Sequence, residues 1–124
     1  MALVLVVDDV RDGRELLARV LRQIGGHDAI TADGGPAALD LVAERRPALI
    51  LLDIAMPGMD GFEVLRRLKS LHDDDIPPVV MLTAFNNQAN RDLAASLGAA
   101  GFFVKGQLDL KRLLETVDTL TVGT

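Results

Sequence analysis

The sequence predicts an α/β domain, a five-stranded parallel sheet flanked by five helices. Three observations carry that prediction. Short apolar runs alternate along the chain with stripes of helical period. The runs are apolar at nearly every position, as in strands covered on both faces. Right-handed crossovers then place helices on both sides of the sheet.

The strand-like runs fall near residues 2–7, 28–32, 48–52, 78–83 and 100–104. The second is the weakest, only Ala29-Ile30-Thr31-Ala32. Leu16, Leu17, Val20, Leu21 and Ile24 mark the first helical stripe, which stops at Gly25-Gly26. Pro36 suits the first turn of a second helix, which must end before Pro47. Asp60 and Glu63 form a capping-box pattern before Val64, Leu65 and Leu68. Leu93 and Leu97 anchor a fourth helix that Gly98 closes. Asp109 can cap a fifth, striped by Leu110, Leu113, Leu114, Val117 and Leu120.

Composition narrows the function. The 124 residues suit one domain, 1–124, with a sound core. Aromatic residues are 3% of the chain, all Phe, so the core is aliphatic. A net charge of −5 argues against nucleic-acid binding, which normally needs a basic face. Asp73-Asp74-Asp75 reads as a solvated loop. With no cysteine, disulfides, thiol catalysis and zinc–thiolate sites are excluded. The N-terminal apolar run is far shorter than the ~20 residues a spanning helix needs. It also lacks the features of a signal peptide. The expectation is a cytoplasmic protein with no membrane partner.

The chemistry lies where the runs end. Asp8 and Asp9 follow the first, Asp53 the third, Thr83 the fourth and Lys105 the fifth. In a parallel sheet these ends share one edge, where ligands bind near the point of strand-order reversal. Each residue alone has a bland reading, such as a cap, a strand end or a surface lysine. Together they equip a site for a cation and a phosphoryl group. Three carboxylates sharing a pocket repel, so without a cation at least one pKa should rise. One lysine cannot balance them, whereas Mg²⁺ (or Mn²⁺) can, through hard oxygen ligands. Phosphoryl transfer then needs charge stabilisation on three oxygens. A free carboxylate can act as nucleophile through an acyl phosphate. Asp53, standing alone at its strand end, is the best candidate, with Asp8 and Asp9 as the metal-holding pair.

These residues, with Met56-Pro57-Gly58-Met59-Asp60-Gly61 and Thr83-Ala84, closely resemble the receiver domain of two-component response regulators over essentially the whole chain. The resemblance implies a flavodoxin-like, doubly wound sheet of order 2-1-3-4-5. It implies that Asp53 accepts a phosphoryl group from a histidine kinase or histidine phosphotransfer protein. Asp9 resembles the direct metal ligand, Asp8 an acid that reaches the ion mainly through water, and the Ala55 carbonyl a backbone ligand. Thr83 and Lys105 resemble the phosphoryl contacts, and Phe102 the switch aromatic. The family implies that phosphorylation remodels the face of helix 4, strand 5 and helix 5. That face would regulate a downstream protein, an output domain or a phosphorylation-dependent homodimer. It implies no enzymatic activity beyond the chain's own phosphorylation and dephosphorylation.

Three departures shape further expectations. The family usually follows its lysine with a cis proline, whereas Lys105 precedes Gly106. That predicts a looser loop after strand 5. Phe85 and Ala55 occupy positions that tune loss of the phosphoryl group. A bulky ring and a small apolar side chain there predict slow self-dephosphorylation. Asn86, Asn87 and Asn90 predict a frayed start to helix 4. His27 and His72 read as surface loop residues, and Met56 and Met59 as packing or docking contacts.

Competing readings are weaker. A haloacid-dehalogenase-type phosphatase needs a second acid two residues after its nucleophile, where Asp53-Ile54-Ala55 has none. A flavodoxin-like cofactor binder would not place two aspartates beside a cofactor phosphate. A degenerate receiver serving only as an interaction module would not need the complete acid, hydroxyl and lysine set. Whether the chain is a whole single-domain regulator or part of a longer protein is left open, as is its output.

Overall fold

Five parallel strands run in the order β2-β1-β3-β4-β5. They are β1 (Leu3–Val7), β2 (Asp28–Ala32), β3 (Leu49–Asp53), β4 (Val79–Thr83) and β5 (Gly101–Val104). Between and after them come α1 (Arg11–Gln23), α2 (Gly35–Arg45), α3 (Gly61–His72), α4 (Gln88–Ser96) and α5 (Leu110–Leu120). This computed structural model describes residues 1–123. The predicted fold class and strand order are borne out, and each strand lies within a residue of its expected bounds. No described helix is long and apolar enough to cross a membrane.

The period of two along each strand divides the interior. Leu5, Val7, Ile50, Leu52, Val79 and Met81 face a core shared with α2, α3 and Ala94 of α4. Val4, Val6, Leu49, Leu51, Val80 and Leu82 face a second core closed by α1 and α5. Both faces are sealed, which explains the continuous apolar runs. Leu49 to Leu52 are fully buried. At ~1.5–3 kcal/mol per large side chain, these two cores dominate stability.

Local chemistry sets the helix ends. Asp60 Oδ1 accepts the Glu63 N–H at 2.9 Å, one half of the expected capping box. The Glu63 carboxylate instead pairs with Arg67 at 3.0 Å. Asp109 accepts from Lys111 N and Arg112 N. Pro36 sits in the first turn of α2, and Gly98, at φ +83°, follows α4. The stripe on α1 is narrower than expected. Leu17, Val20 and Leu21 are buried, while Leu16 and Ile24 are 57% and 68% exposed.

Asn87 Oδ1 accepts from Ala89 N and Asn90 N, so Asn87 caps α4 and does not sit inside it. Asparagine is poor inside a helix but favourable one step before it. His27 is not a surface loop residue. It is 8% exposed, its Nδ1 accepts the Ala2 N–H at 3.1 Å, and its Nε2 lies 2.7 Å from Asp118 Oδ1. His72 is the last residue of α3 and is half-buried. Lys105–Gln107 form one 3-10 turn, closed by Leu108 N–H on the Lys105 carbonyl at 3.3 Å. The Lys105–Gly106 bond is trans.

Gly61 joins β3's loop to α3 at van der Waals limits. A Cβ there would overlap the Asp53 carbonyl oxygen and stand 2.9 Å from Ile54 Cα, both backbone atoms that cannot yield. Gly61→Ala should therefore destabilise by about 1–3 kcal/mol in chemical denaturation. Gly106 has open space around it and no positive φ. Gly106→Ala should change stability by less than ~0.5 kcal/mol.

Candidate functional site

The sheet order reverses between β1 and β3, and both strands end in acid at that point. Val7 pairs with Leu52, so Asp8 and Asp53 are next in register on adjacent strands. Asp53 pairs with Leu82, which brings Thr83 beside it, and Thr83 pairs with Val104, which brings Lys105 into range. The crevice outside these strand ends is where such sheets bind ligands.

Asp8, Asp53 and Thr83 are nearly sealed, at 1%, 3% and 1% exposure. Asp9 is exposed. Lys105 Nζ donates to Asp8 Oδ2 at 2.9 Å and lies 3.2 Å from Asp53 Oδ2. The other oxygen of Asp8 accepts the Val10 N–H at 2.9 Å. Both Asp8 oxygens are thus engaged, whereas among the described residues no hydrogen bond or ion pair engages Asp9. Asp8, Asp9 and Asp53 each offer an oxygen within 4.8 Å of the others. The Thr83 hydroxyl oxygen accepts the Phe85 N–H at 3.2 Å.

The electrostatics follow from this crowding. Burial pushes the Asp53 carboxyl up from its ordinary 3.8 to about 6, and the charge of Asp8 adds to the rise against the pull of Lys105. For Lys105, burial alone would lower the pKa. The Asp8 hydrogen bond and the Asp53 charge outweigh it and hold the ammonium above the usual lysine range. One ammonium cannot satisfy three carboxylates, so the oxygen-only donor set has the charge and hardness that suit a divalent cation.

All the sequence-predicted acids, Thr83 and Lys105 converge on this edge. Ala55 is exposed in the loop after β3, and its carbonyl accepts no backbone hydrogen bond among the described residues. Phe85 is 67% exposed just past Thr83. Phe102 stands further off on β5, half-exposed, with Arg91 Cζ 4.7 Å from its ring centroid. Sequence reasoning missed three positioning contacts. Arg14 donates to the Asp8 carbonyl at 2.9 Å, Phe85 N–H holds the Thr83 hydroxyl, and Arg91 covers Phe102. Arg14 is six residues beyond Asp8 and one turn into α1, a spacing that could have signalled its contact.

The raised pKa of Asp53 makes a signed prediction. A carboxyl that binds its proton more tightly when folded favours folding below pH 3.8. That contribution is lost as pH rises through about 6. Above it, the ionised Asp53 costs at most ~3 kcal/mol. In metal-free buffer at pH 8, Asp53→Asn should therefore be more stable than wild type by about 1–3 kcal/mol. The gain should vanish near pH 4. Paired thermal melts across that range measure it.

Comparison with known proteins agrees with the geometry. A sequence model described as "Response regulator receiver domain" matches residues 4–118. Response regulator MprA of Mycobacterium sp. (strain KMS) is 41% identical over 102 residues, covering 82% of this chain and 43% of MprA. Response regulator PleD of Caulobacter vibrioides (strain NA1000 / CB15N) is 39% identical over 121 residues, 97% of this chain and 26% of PleD. The chain thus spans less than half the length of these curated relatives. Among solved structures, chemotaxis protein CheY4 of Vibrio cholerae superimposes with a TM-score of 0.87 at 30% identity, covering 97% of this chain and 98% of CheY4. NtrX of Brucella abortus superimposes at 0.86 with 34% identity, covering 97% of this chain and 27% of NtrX. On a match that spans nearly every residue and a fold shared with these neighbours, the chain belongs to the response regulator receiver domain family.

Proposed function

We propose that residues 1–124 act as a single phosphoacceptor receiver domain, in which Asp53 takes a phosphoryl group from the phosphohistidine of a histidine kinase or phosphotransfer protein. The observation that carries this reading is the buried pair Asp8 and Asp53 bridged by the part-exposed Lys105, with the exposed Asp9 beside them. An Asp53 oxygen attacks phosphorus in line. The P–N bond of the donor breaks, its electron pair returns to the imidazole, and the ring regains a proton from solvent. With a pKa of about 6, Asp53 is ionised and nucleophilic at neutral pH. Lys105 lies close enough to neutralise one phosphoryl oxygen, and the Thr83 hydroxyl donates its free proton to another.

When bound, Mg²⁺ (or Mn²⁺) would neutralise charge on the transferring group. The residues that fit it are Asp9, Asp53 and the Ala55 carbonyl, with Asp8 reaching it through water. The engagement of both Asp8 oxygens by Lys105 and Val10 supports that division, since Asp9 is the uncommitted acid. Val10, the residue before α1, and Leu16, midway along it, are both more than half exposed. They suit docking of a helical donor beside Asp53.

Threonine capture by the phosphoryl group vacates space that Phe102 can enter. This shifts the population between two packings of α4, β5 and α5. That face then regulates an output domain, a partner protein or a second copy. The relatives' greater length leaves room for output domains of their own.

The test is incubation with a small acyl-phosphate donor. Stoichiometric, acid-stable and base-labile label should appear with Mg²⁺, disappear with chelator and be absent from Asp53→Asn. Stoichiometric labelling of Asp53→Asn would overturn the assignment. Phe85, exposed where water must approach, should slow hydrolysis. Phe85→Glu should shorten the aspartyl-phosphate lifetime several-fold, and an unchanged lifetime would remove Phe85 from that role.

A further inference from the structure

The contact between α4 and β5 has chemistry that the receiver reading alone does not require. Arg91 lies in the second half-turn of α4, half-buried, with its guanidinium carbon 4.7 Å from the centroid of Phe102. That is cation–π distance. Its Nε donates to Asn86 Oδ1 at 3.2 Å, just outside the N-cap of α4. Among the described residues, no carboxylate lies within ion-pair range of Arg91. The nearby acid Asp92 is held by Gln88 Nε2 at 2.9 Å. The cation therefore has two fixed partners, an amide oxygen that aims it and a ring that receives it.

Phe102 is placed to respond. It is on an edge strand, paired with Met81, and packs only at the margin of the α2–α3–α4 core. Thr83, two residues beyond Met81 on the neighbouring strand, is buried with its hydroxyl tied to the Phe85 N–H. The ring thus lies between the margin of the core and a part-buried cation. Any movement inward must first leave the guanidinium.

We propose that Arg91 is a positioning residue for the phosphorylation equilibrium: stacked on Phe102 and tethered by Asn86, it holds the ring outward and biases the domain toward its unphosphorylated packing. The inference rests on the receiver reading and deepens it by naming what opposes the switch. Phosphoryl gain proceeds from the inward-ring packing, so whatever favours the outward ring lowers the ratio of competent to resting packing and slows phosphorylation. A part-exposed cation–π contact moves such a ratio roughly two- to five-fold.

The test is a double-mutant cycle in the whole chain. Wild type, Arg91→Met, Phe102→Leu and the double variant are phosphorylated by a small acyl-phosphate donor with Mg²⁺. The ring ¹H–¹³C signals of Phe102 are recorded in resting wild type and Arg91→Met. Arg91→Met keeps the stem but removes the cation. It should speed phosphorylation roughly two- to five-fold and shift the Phe102 ring signals. In the Phe102→Leu background the same substitution should do nothing. Asn86→Ala, outside the helix, should act in the same direction by a smaller factor. It decides the matter if Arg91→Met fails to fold by circular dichroism. A labelled wild type with an unchanged Arg91→Met rate overturns this proposal alone. So does an equal effect in the Phe102→Leu background, which would mean that Arg91 acts on the donor and not through the ring. A wild type that takes no label overturns the receiver reading and this proposal with it.

Discussion

Two buried carboxylates share one ammonium, and most of the molecule is arranged around that imbalance. Lys105, itself part-exposed, bridges the buried Asp8 and Asp53 at 2.9 and 3.2 Å. Neither acid could be held there alone, since an isolated buried charge costs several kcal/mol. Lys105 contacts both acids and the Val10 N–H donates to Asp8, which offsets part of that cost. What is left over is a deficit of positive charge, which adds to burial in raising the pKa of Asp53. A cation or a transferred phosphoryl group with its own counter-ion therefore enters a site already biased to receive it.

The sheet makes this cluster affordable. Its interior strands are sealed on both faces by aliphatic side chains, so all the polar chemistry is pushed to the strand ends. Parallel order then aligns the ends that carry acid, hydroxyl and amine on one edge. Gly61 lets α3 start against the backbone of Asp53, which fixes the loop that follows that aspartate.

Legibility in the sequence tracked the range of the interaction. The strands, helix caps and converging site residues were readable because they depend on local period or on chain order at strand ends. The capping role of Asn87 was missed because propensity for a helix interior says little about the position before it. His27 was misjudged because its partners, Ala2 and Asp118, lie 25 and 91 residues away. Arg91 over Phe102 was invisible for the same reason, since nothing in either segment alone reveals a stacked pair. Leu16 and Ile24 fitted a helical stripe yet remain outside, because α1 rests on the sheet along a narrow line.

The His27 contacts have a geometric consequence. By gripping the start of β1 and the last turns of α5 together, the imidazole gathers both extremities of the described chain at the edge opposite the acids. A strand of five residues separates the two edges, roughly 15 Å. A fluorophore or tag joined to either extremity would be remote from the aspartates. It would sense events there only as they propagate along strands and helices, not by touching the pocket.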